Sequence, residues 1–320
     1  MLSNHNFNYE SKDKILLRRN NKIKSIWSTC AIEGNAFSFN KARDILNGLA
    51  VLPTDANLVD VLEIKNANQA YSTAEKLNPF NEKDLLLTHK ILMDGINDQN
   101  GKYRLCHEGV FEGSRCIFMA PPPNMVPDLM SNLFNRIKEN KDNLSPLIYS
   151  IIFHYEFVYI HTFTDGNVRI ARIWSMLLLS KLSNLFFYLP LELEIKLHQQ
   201  EDYDAINSSN IDGDSTAFLS FMLKMILNAL NKELNNESSQ YNVKAVTKIL
   251  KVMPLNKEMS AKELEQALNI SSLFALKKGY LNQFIDLGFV KPTFPDKMRS
   301  PNQKYKRVVS LKLLNLNSQF

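Results

Sequence analysis

Three cysteines among 320 residues, Cys30, Cys106 and Cys116, are odd in number and lack a metal-ligand spacing. They argue against a disulfide framework or a zinc site and for reduced thiols in the cytosol. Long apolar runs are missing as well. The stretch Ile148 to Ile160 is broken by His154, Tyr155 and Glu156, short of the roughly 18 residues a spanning helix needs, so no membrane role is expected. Met1 to Glu10 is polar and has no signal-peptide core. A disorder signature is also absent: 45% of the residues are apolar, enough for a sizeable core, and the length suggests two or three domains.

What is present is helical periodicity. Lys41 to Ala50, Leu58 to Leu77, Glu82 to Met93, Val126 to Asn140, Pro146 to Ile160, Asn167 to Leu182, Glu192 to Ser208 and Ser215 to Glu233 all read as helices, so the chain is mainly α. Between Gly101 and Pro123 the pattern shifts to β-leaning pieces. Val110-Phe111 and Cys116 to Met119 flank Glu112-Gly113-Ser114-Arg115, which predicts a hairpin.

One segment concentrates chemistry. Residues 161 to 172 read His-Thr-Phe-Thr-Asp-Gly-Asn-Val-Arg-Ile-Ala-Arg, at the junction of two helical patterns with Asp165-Gly166-Asn167 as the turn. The second helix would aim unpaired N–H groups and the positive end of its dipole at an anion above Gly166-Asn167. Arg169 and Arg172, three apart, share a face and could each grip a phosphate oxygen. Asp165 is placed to hold Mg2+, which takes one or two carboxylates plus phosphate oxygens. His161 can deprotonate a hydroxyl near neutral pH, help that contributes roughly 10²- to 10⁴-fold in rate. Together these groups describe transfer of a nucleotide or phosphoryl group to a hydroxyl. The plainer alternative is a core histidine, an ordinary turn and a solvated arginine face.

This segment resembles the motif of Fic-domain proteins: His, Pro, Phe, any residue, Asp or Glu, Gly, Asn, Gly, Arg, two residues, Arg. The resemblance covers roughly residues 25 to 230. It implies a Fic-type helical bundle with a β-hairpin flap and transfer of AMP from ATP to a Ser, Thr or Tyr hydroxyl of a protein, which could be the chain itself. It makes His161 the general base, Asp165 the Mg2+ ligand, Gly166 and Asn167 the phosphate turn, Arg169 a phosphate contact, Arg172 the γ-phosphate ligand and Phe163 a core anchor. Thr162 stands where the motif has Pro, and Val168 replaces its second Gly. A valine there fills space near the phosphates; with ordinary helical dihedrals it would fit the backbone and only narrow the room above.

Upstream, Ser28-Thr29-Cys30-Ala31-Ile32-Glu33-Gly34-Asn35 follows an amphipathic stretch from Ile15 to Trp27. A carboxylate near a helix C-terminus gains nothing from the dipole, so Glu33 either has a cationic partner elsewhere or is a surface residue beside a C-cap glycine. The segment resembles the inhibitory motif of the same family, with Thr29, Glu33 and Gly34 filling the pattern. That resemblance pairs Glu33 with Arg172. Since removing one partner of a buried ion pair costs about 3 to 5 kcal/mol, such a pair could hold an enzyme mostly off.

The family's flap lies at the hairpin, so Val110, Phe111, Ile117 and Phe118 become target-binding positions by strand addition; a simple surface hairpin is the alternative. Tyr203 and Asn210 fall in a segment similar to the nucleoside-contacting helix, with Tyr203 equally readable as core. Beyond a polar stretch at 235–240, residues 242–320 carry fourteen Lys or Arg against five Asp or Glu, roughly +9, which leaves about −4 for the rest. Ala245 to Val252, Ser260 to Leu268 and Ser271 to Leu287 read as helices with Ser260 and Ser271 as N-caps. Phe289-Val290 and Tyr305 to Leu311 read as strands. The set resembles a winged helix-turn-helix, for which DNA binding, through Lys277 and Lys278 on the recognition helix, and protein docking or homodimerisation both stay open.

The expectation is three regions: 1–90 helical and inhibitory, 91–234 catalytic, 241–320 winged-helix-like. The function expected is a self-inhibited protein adenylyltransferase using ATP and Mg2+ in the cytoplasm. The alternatives are a regulator with an impaired Fic fold and an enzyme with another phosphate-bearing donor.

Overall fold

The computed structural model describes residues 15–49, 58–112, 115–236, 252–254, 256–270, 272–277, 281–286, 290–298 and 300–308. The chain folds as two compact units: Lys24–Phe37 with Pro53–Asn235, and Met1–Ile23 with Ser38–Leu52 and Asn236–Phe320. The N-terminal ninety residues are thus divided between the two.

The larger unit is built on α6 (Pro146–Ile160) and α7 (Asn167–Leu179). Both are buried on nearly all sides, as helices apolar around their circumference must be. Against them lie the Lys24–Ile32 part of α1 (Ile15–Ile32), α3 (Leu58–Ala74), α4 (Glu82–Leu92), α5 (Val126–Asn140) and α10 (Thr216–Asn236). Trp174, Phe134 and Phe153 interlock at centroid distances of 5.5 to 6.5 Å, and the Trp174 indole N–H donates to Pro79 O at 3.0 Å, so the large ring leaves no polar atom unsatisfied.

The sequence expectation of one helix from Glu192 to Ser208 is corrected. Two helices stand there, α8 (Leu191–Leu197) and α9 (Gln199–Asp212), separated at His198, whose φ of −123° and ψ of 33° are not helical. The imidazole of His198 bonds the carbonyl of Glu194 at 2.9 Å in place of the broken backbone ladder. Elsewhere the expected helices are present with shifted ends: the first runs from Phe39 to Leu46 rather than Lys41 to Ala50, two others stop at Ala74 and Leu179, and the last runs on to Asn236. The hairpin is β1 (Gly109–Glu112) antiparallel to β2 (Arg115–Met119), with a register shift that leaves Ile117 unpaired between Cys116 and Phe118.

In the smaller unit, α2 (Phe39–Leu46) is capped by Ser38, whose side chain accepts from Lys41 N–H. Its Asp44 pairs with Lys291 Nζ at 2.6 Å. Helix α11 (Ala261–Leu268) starts with a full capping box between Ser260 and Glu263. The next N-cap is Ser272 rather than Ser271, which lies outside the described residues; the Ser272 hydroxyl accepts from Ala275 N–H at 3.1 Å. The expected third helix is described as α12 (Leu273–Leu276) and α13 (Asn282–Asp286). Residues 245–251, Lys278, Phe289 and 309–311 lie outside the described residues. Strands β3 (Glu258–Ser260), β4 (Val290–Pro292) and β5 (Lys304–Arg307) form an antiparallel sheet in the order β3-β5-β4. Sequence reading missed β3, where Met259 is the only apolar side chain.

Candidate active site

The α6–α7 junction is a tightly shaped loop. Helix α6 ends because His161 takes up a left-handed conformation, φ 52° and ψ 60°, that reverses the chain. Phe163 is fully buried and stacks on His89 at 3.6 Å with planes 6° apart. The Asn167 amide then closes the loop on itself, accepting from Phe163 N–H at 2.8 Å and donating to Phe163 O at 2.7 Å. That side chain shapes the turn. What faces an anion is backbone: Gly166 is the N-cap of α7 without a side-chain cap, so the first-turn amides carry no such partner. Gly166 is required twice over, by its φ of 78° and because a Cβ would sit 2.9 Å from Met93 Sδ.

Two residues given no role in the sequence reading hold this loop from behind: His89, and Arg104 of the flap-matching stretch Gly101 to Arg104. Arg104 is 1% exposed and donates from Nε to His161 O at 2.5 Å, from Nη1 to Cys106 O at 2.7 Å, and from Nη2 to Pro121 O at 2.5 Å and Ile160 O at 3.3 Å. One guanidinium therefore fixes the backbone of the candidate base and both approaches to the hairpin. His89 accepts from Gly101 N–H at Nδ1 (2.8 Å), which leaves Nε2 as the donor to Asp165 O at 3.0 Å. Burial pushes its imidazole down to about 4, so it stays neutral and the tautomer is fixed. A helix-interior histidine gives no local signal of such a task.

His161 is held below its ordinary pKa, chiefly by burial; Glu108 and Asp165 oppose the shift and Arg104 adds to it. Near neutral pH the ring is therefore able to accept a proton. Asp165 is 49% exposed; its Oδ1 accepts from Gly166 N–H at 2.5 Å and pairs with Arg169 at 3.2 Å. One half-exposed carboxylate beside an open helix N-terminus suits Mg2+ bound largely through phosphate oxygens. Arg169, expected as a phosphate contact, is 2% exposed and salt-bridged to Glu63 Oε1 at 2.9 Å. Burial works against its charge, but Glu63 and Asp165 outweigh it and hold the guanidinium above its ordinary value.

Arg172, also 2% exposed, bonds Glu33 Oε1 at 3.2 Å and both the carbonyl and hydroxyl oxygens of Thr29 at 3.3 Å. The two distant segments singled out in the sequence thus meet. Val168 has no positive φ and its side chain is half-buried, so valine fits the helix and narrows only the space above it. The Thr162 hydroxyl points to Met130 Sδ at 3.1 Å, a weak partner that replaces whatever packing proline would give.

Comparison with known proteins decides the family. The Fic/DOC family profile matches residues 79–179, and the profile described as "Filamentation induced by cAMP protein Fic-like, C-terminal domain" matches residues 244–307. A crystal structure of a Fic family protein from Desulfovibrio desulfuricans is 33% identical with a TM-score of 0.66, over 92% of this chain and 88% of that one. The chain belongs to the Fic family. Among curated Fic relatives, the protein adenylyltransferase Fic of Culex quinquefasciatus is 28% identical over 209 residues, 62% of this chain and 39% of that protein. A probable protein adenylyltransferase of Aquifex aeolicus is 36% identical over 107 residues, 33% of this chain and 31% of that protein. The chain therefore spans well under half the length of these relatives.

The remaining Fic-motif expectations are placed as follows. Tyr203 is 48% exposed rather than core, and its hydroxyl accepts from Gln199 Nε2 at 2.6 Å. Gln199 also reaches Ile32 O at 3.3 Å, so α9 touches the segment that carries Glu33. The Asn210 carbonyl oxygen is taken by Tyr155 OH at 2.9 Å. Asp202, which sequence reading did not select, is buried; desolvation raises it to about 6 while Arg172 and Glu33 act on it in opposite directions. On the hairpin, Phe118 packs against Tyr159 at 5.2 Å, and the side chains of Val110, Phe111 and Ile117 lie outside the described residues. Cys30, Cys106 and Cys116 are free thiols. Among the described residues no helix is long and apolar enough to cross a membrane.

Proposed function

We propose that this Fic family chain is a self-inhibited protein adenylyltransferase, transferring AMP from ATP to a hydroxyl of a protein. The observation that carries the reading is the Glu33–Arg172 pair at 3.2 Å. Arg172 lies one turn into the helix whose open N-terminus offers the anion site, and Glu33 occupies the arginine a terminal phosphate would need. The curated relatives named as protein adenylyltransferases support the reaction class.

In the released state the first-turn amides of α7 bind the phosphates and Arg172 takes the terminal one. Asp165 would hold Mg2+, which supplies charge neutralisation on the phosphates and leaving pyrophosphate. The β1–β2 edge aligns an extended target segment. His161, neutral at pH 7 and fixed from behind by Arg104, removes the hydroxyl proton as the oxygen attacks the α-phosphorus; the bond to pyrophosphate breaks and AMP stays on the target.

Mass spectrometry of the Glu33→Gly protein after incubation with ATP and Mg2+ tests this. A gain of one adenylate that the parent shows weakly and His161→Ala abolishes is expected. No gain with ATP but a gain with another nucleotide donor would change the donor. No gain at all, together with salt-sensitive DNA binding by the basic C-terminal unit, would select the regulator reading; the charge of that unit is what favours it.

A further inference from the structure

The turn that carries Glu33 makes a second connection to the Fic motif. Asn35 Nδ2 donates to Glu63 Oε2 at 2.8 Å and to Asp60 O at 3.1 Å, and Ala36 N–H reaches Asp60 Oδ1 at 3.3 Å. Glu63 gives its other oxygen, Oε1, to Arg169 Nη1 at 2.9 Å. Arg169 has its second terminal nitrogen on Asp165 Oδ1 at 3.2 Å. The line Asn35–Glu63–Arg169–Asp165 is thus continuous from the regulatory turn to the carboxylate assigned above to the cation.

We propose that Glu63 is a positioning residue through which Asn35 controls the readiness of Asp165 to bind a divalent cation, so that the turn acts on the metal carboxylate as well as on Arg172. A carboxylate can accept both prongs of a guanidinium in a parallel fork, the stronger geometry. With Asn35 on Oε2, Glu63 has one oxygen left for Arg169, and the second prong settles on Asp165. When the turn departs, Oε2 becomes available, Glu63 takes both prongs, and Asp165 is released with its charge uncompensated except by Gly166 N–H. Displacing one short turn then frees the phosphate arginine and the cation carboxylate together.

This inference rests on Asp165 being the cation's carboxylate, and its test is separate from catalysis. Mn2+ is titrated into the full chain in the presence of ADP, whose phosphate oxygens complete the site, and the affinity of the protein-bound ion is read from water-proton relaxation enhancement. Asn35→Ala, with Glu33 intact, should tighten binding about three- to tenfold, the size of one partly screened charge-assisted contact. Glu63→Gln should weaken it by a similar factor, because Arg169 then leans wholly on Asp165. The double variant should resemble Glu63→Gln, and Asp165→Asn should abolish binding. A merely structural role for Glu63 would not give opposite signs for the two single variants. Shifts of the same sign, no shift, or Mn2+ binding indifferent to Asp165→Asn would overturn the proposal. If Glu63→Gln fails to fold, Asn35→Ala measured against Asp165→Asn decides. Absence of AMP transfer by Glu33→Gly would sink the adenylyltransferase reading and leave these affinities decisive for the relay.

Discussion

At the scale of single residues, Arg104 shows how one side chain can fix the backbone on which a proposed base sits. Its guanidinium satisfies the carbonyls of His161, Cys106, Pro121 and Ile160, and a lysine of equal charge cannot span that fork. In the Glu33→Gly background, Arg104→Lys should lower kcat at least about tenfold with little change in KM for ATP, because the imidazole shifts while the α7 amides stay. Steady-state kinetics check it; a rise in KM alone would mean that Arg104 serves the phosphates. The proposed roles of His161, Asp165 and Arg172 were legible because the three fall within twelve residues. Those of Arg104 and His89 were not, since their partners lie 57 and 76 residues along the chain.

Among elements, α7 carries most of the proposed site and was the most legible: its apolar periodicity resumes after a glycine turn, and the structure starts it at Asn167. The break at His198 was hidden because Leu, Glu and Ile continue a helical pattern across α8 into α9. The strand β3 was too short to show alternation, and a three-residue piece is fixed only by its partner β5. Val168, the second residue of α7, is a β-branched side chain on an ordinary helical backbone at the edge of the proposed anion site. Val168→Gly in the Glu33→Gly protein should therefore tighten nucleotide binding several-fold by calorimetry, with only about 0.5 to 1 kcal/mol lost to helix propensity. Unchanged affinity would mean the valine methyls do not reach the phosphates.

For the molecule as a whole, buried titratable groups set how stability responds to acid. The His89 and His154 imidazoles lie at about 4 and about 3 in the fold, both mainly through burial, against 6.5 ordinarily. The unfolded chain thus binds more protons than the folded one between those limits, and stability present above pH 6.5 is lost as pH falls. Asp202 works the other way, raised from 3.8 to about 6, so folding gains as pH drops through 6. Two histidines with the larger displacements outweigh one aspartate, and Tm should fall steadily from pH 7 to pH 4 in calorimetry; a maximum near pH 5 would contradict the balance. The turn that carries Glu33 belongs to the larger unit, where α1 anchors it through Ile26 and Cys30, both fully buried. On the proposed reading, brake and engine are one polypeptide and are made in strict one-to-one proportion. A brake of that kind would be neither outrun by overproduction nor washed away by dilution, and doubling the supply of the protein would double the reserve while leaving the fraction released unchanged.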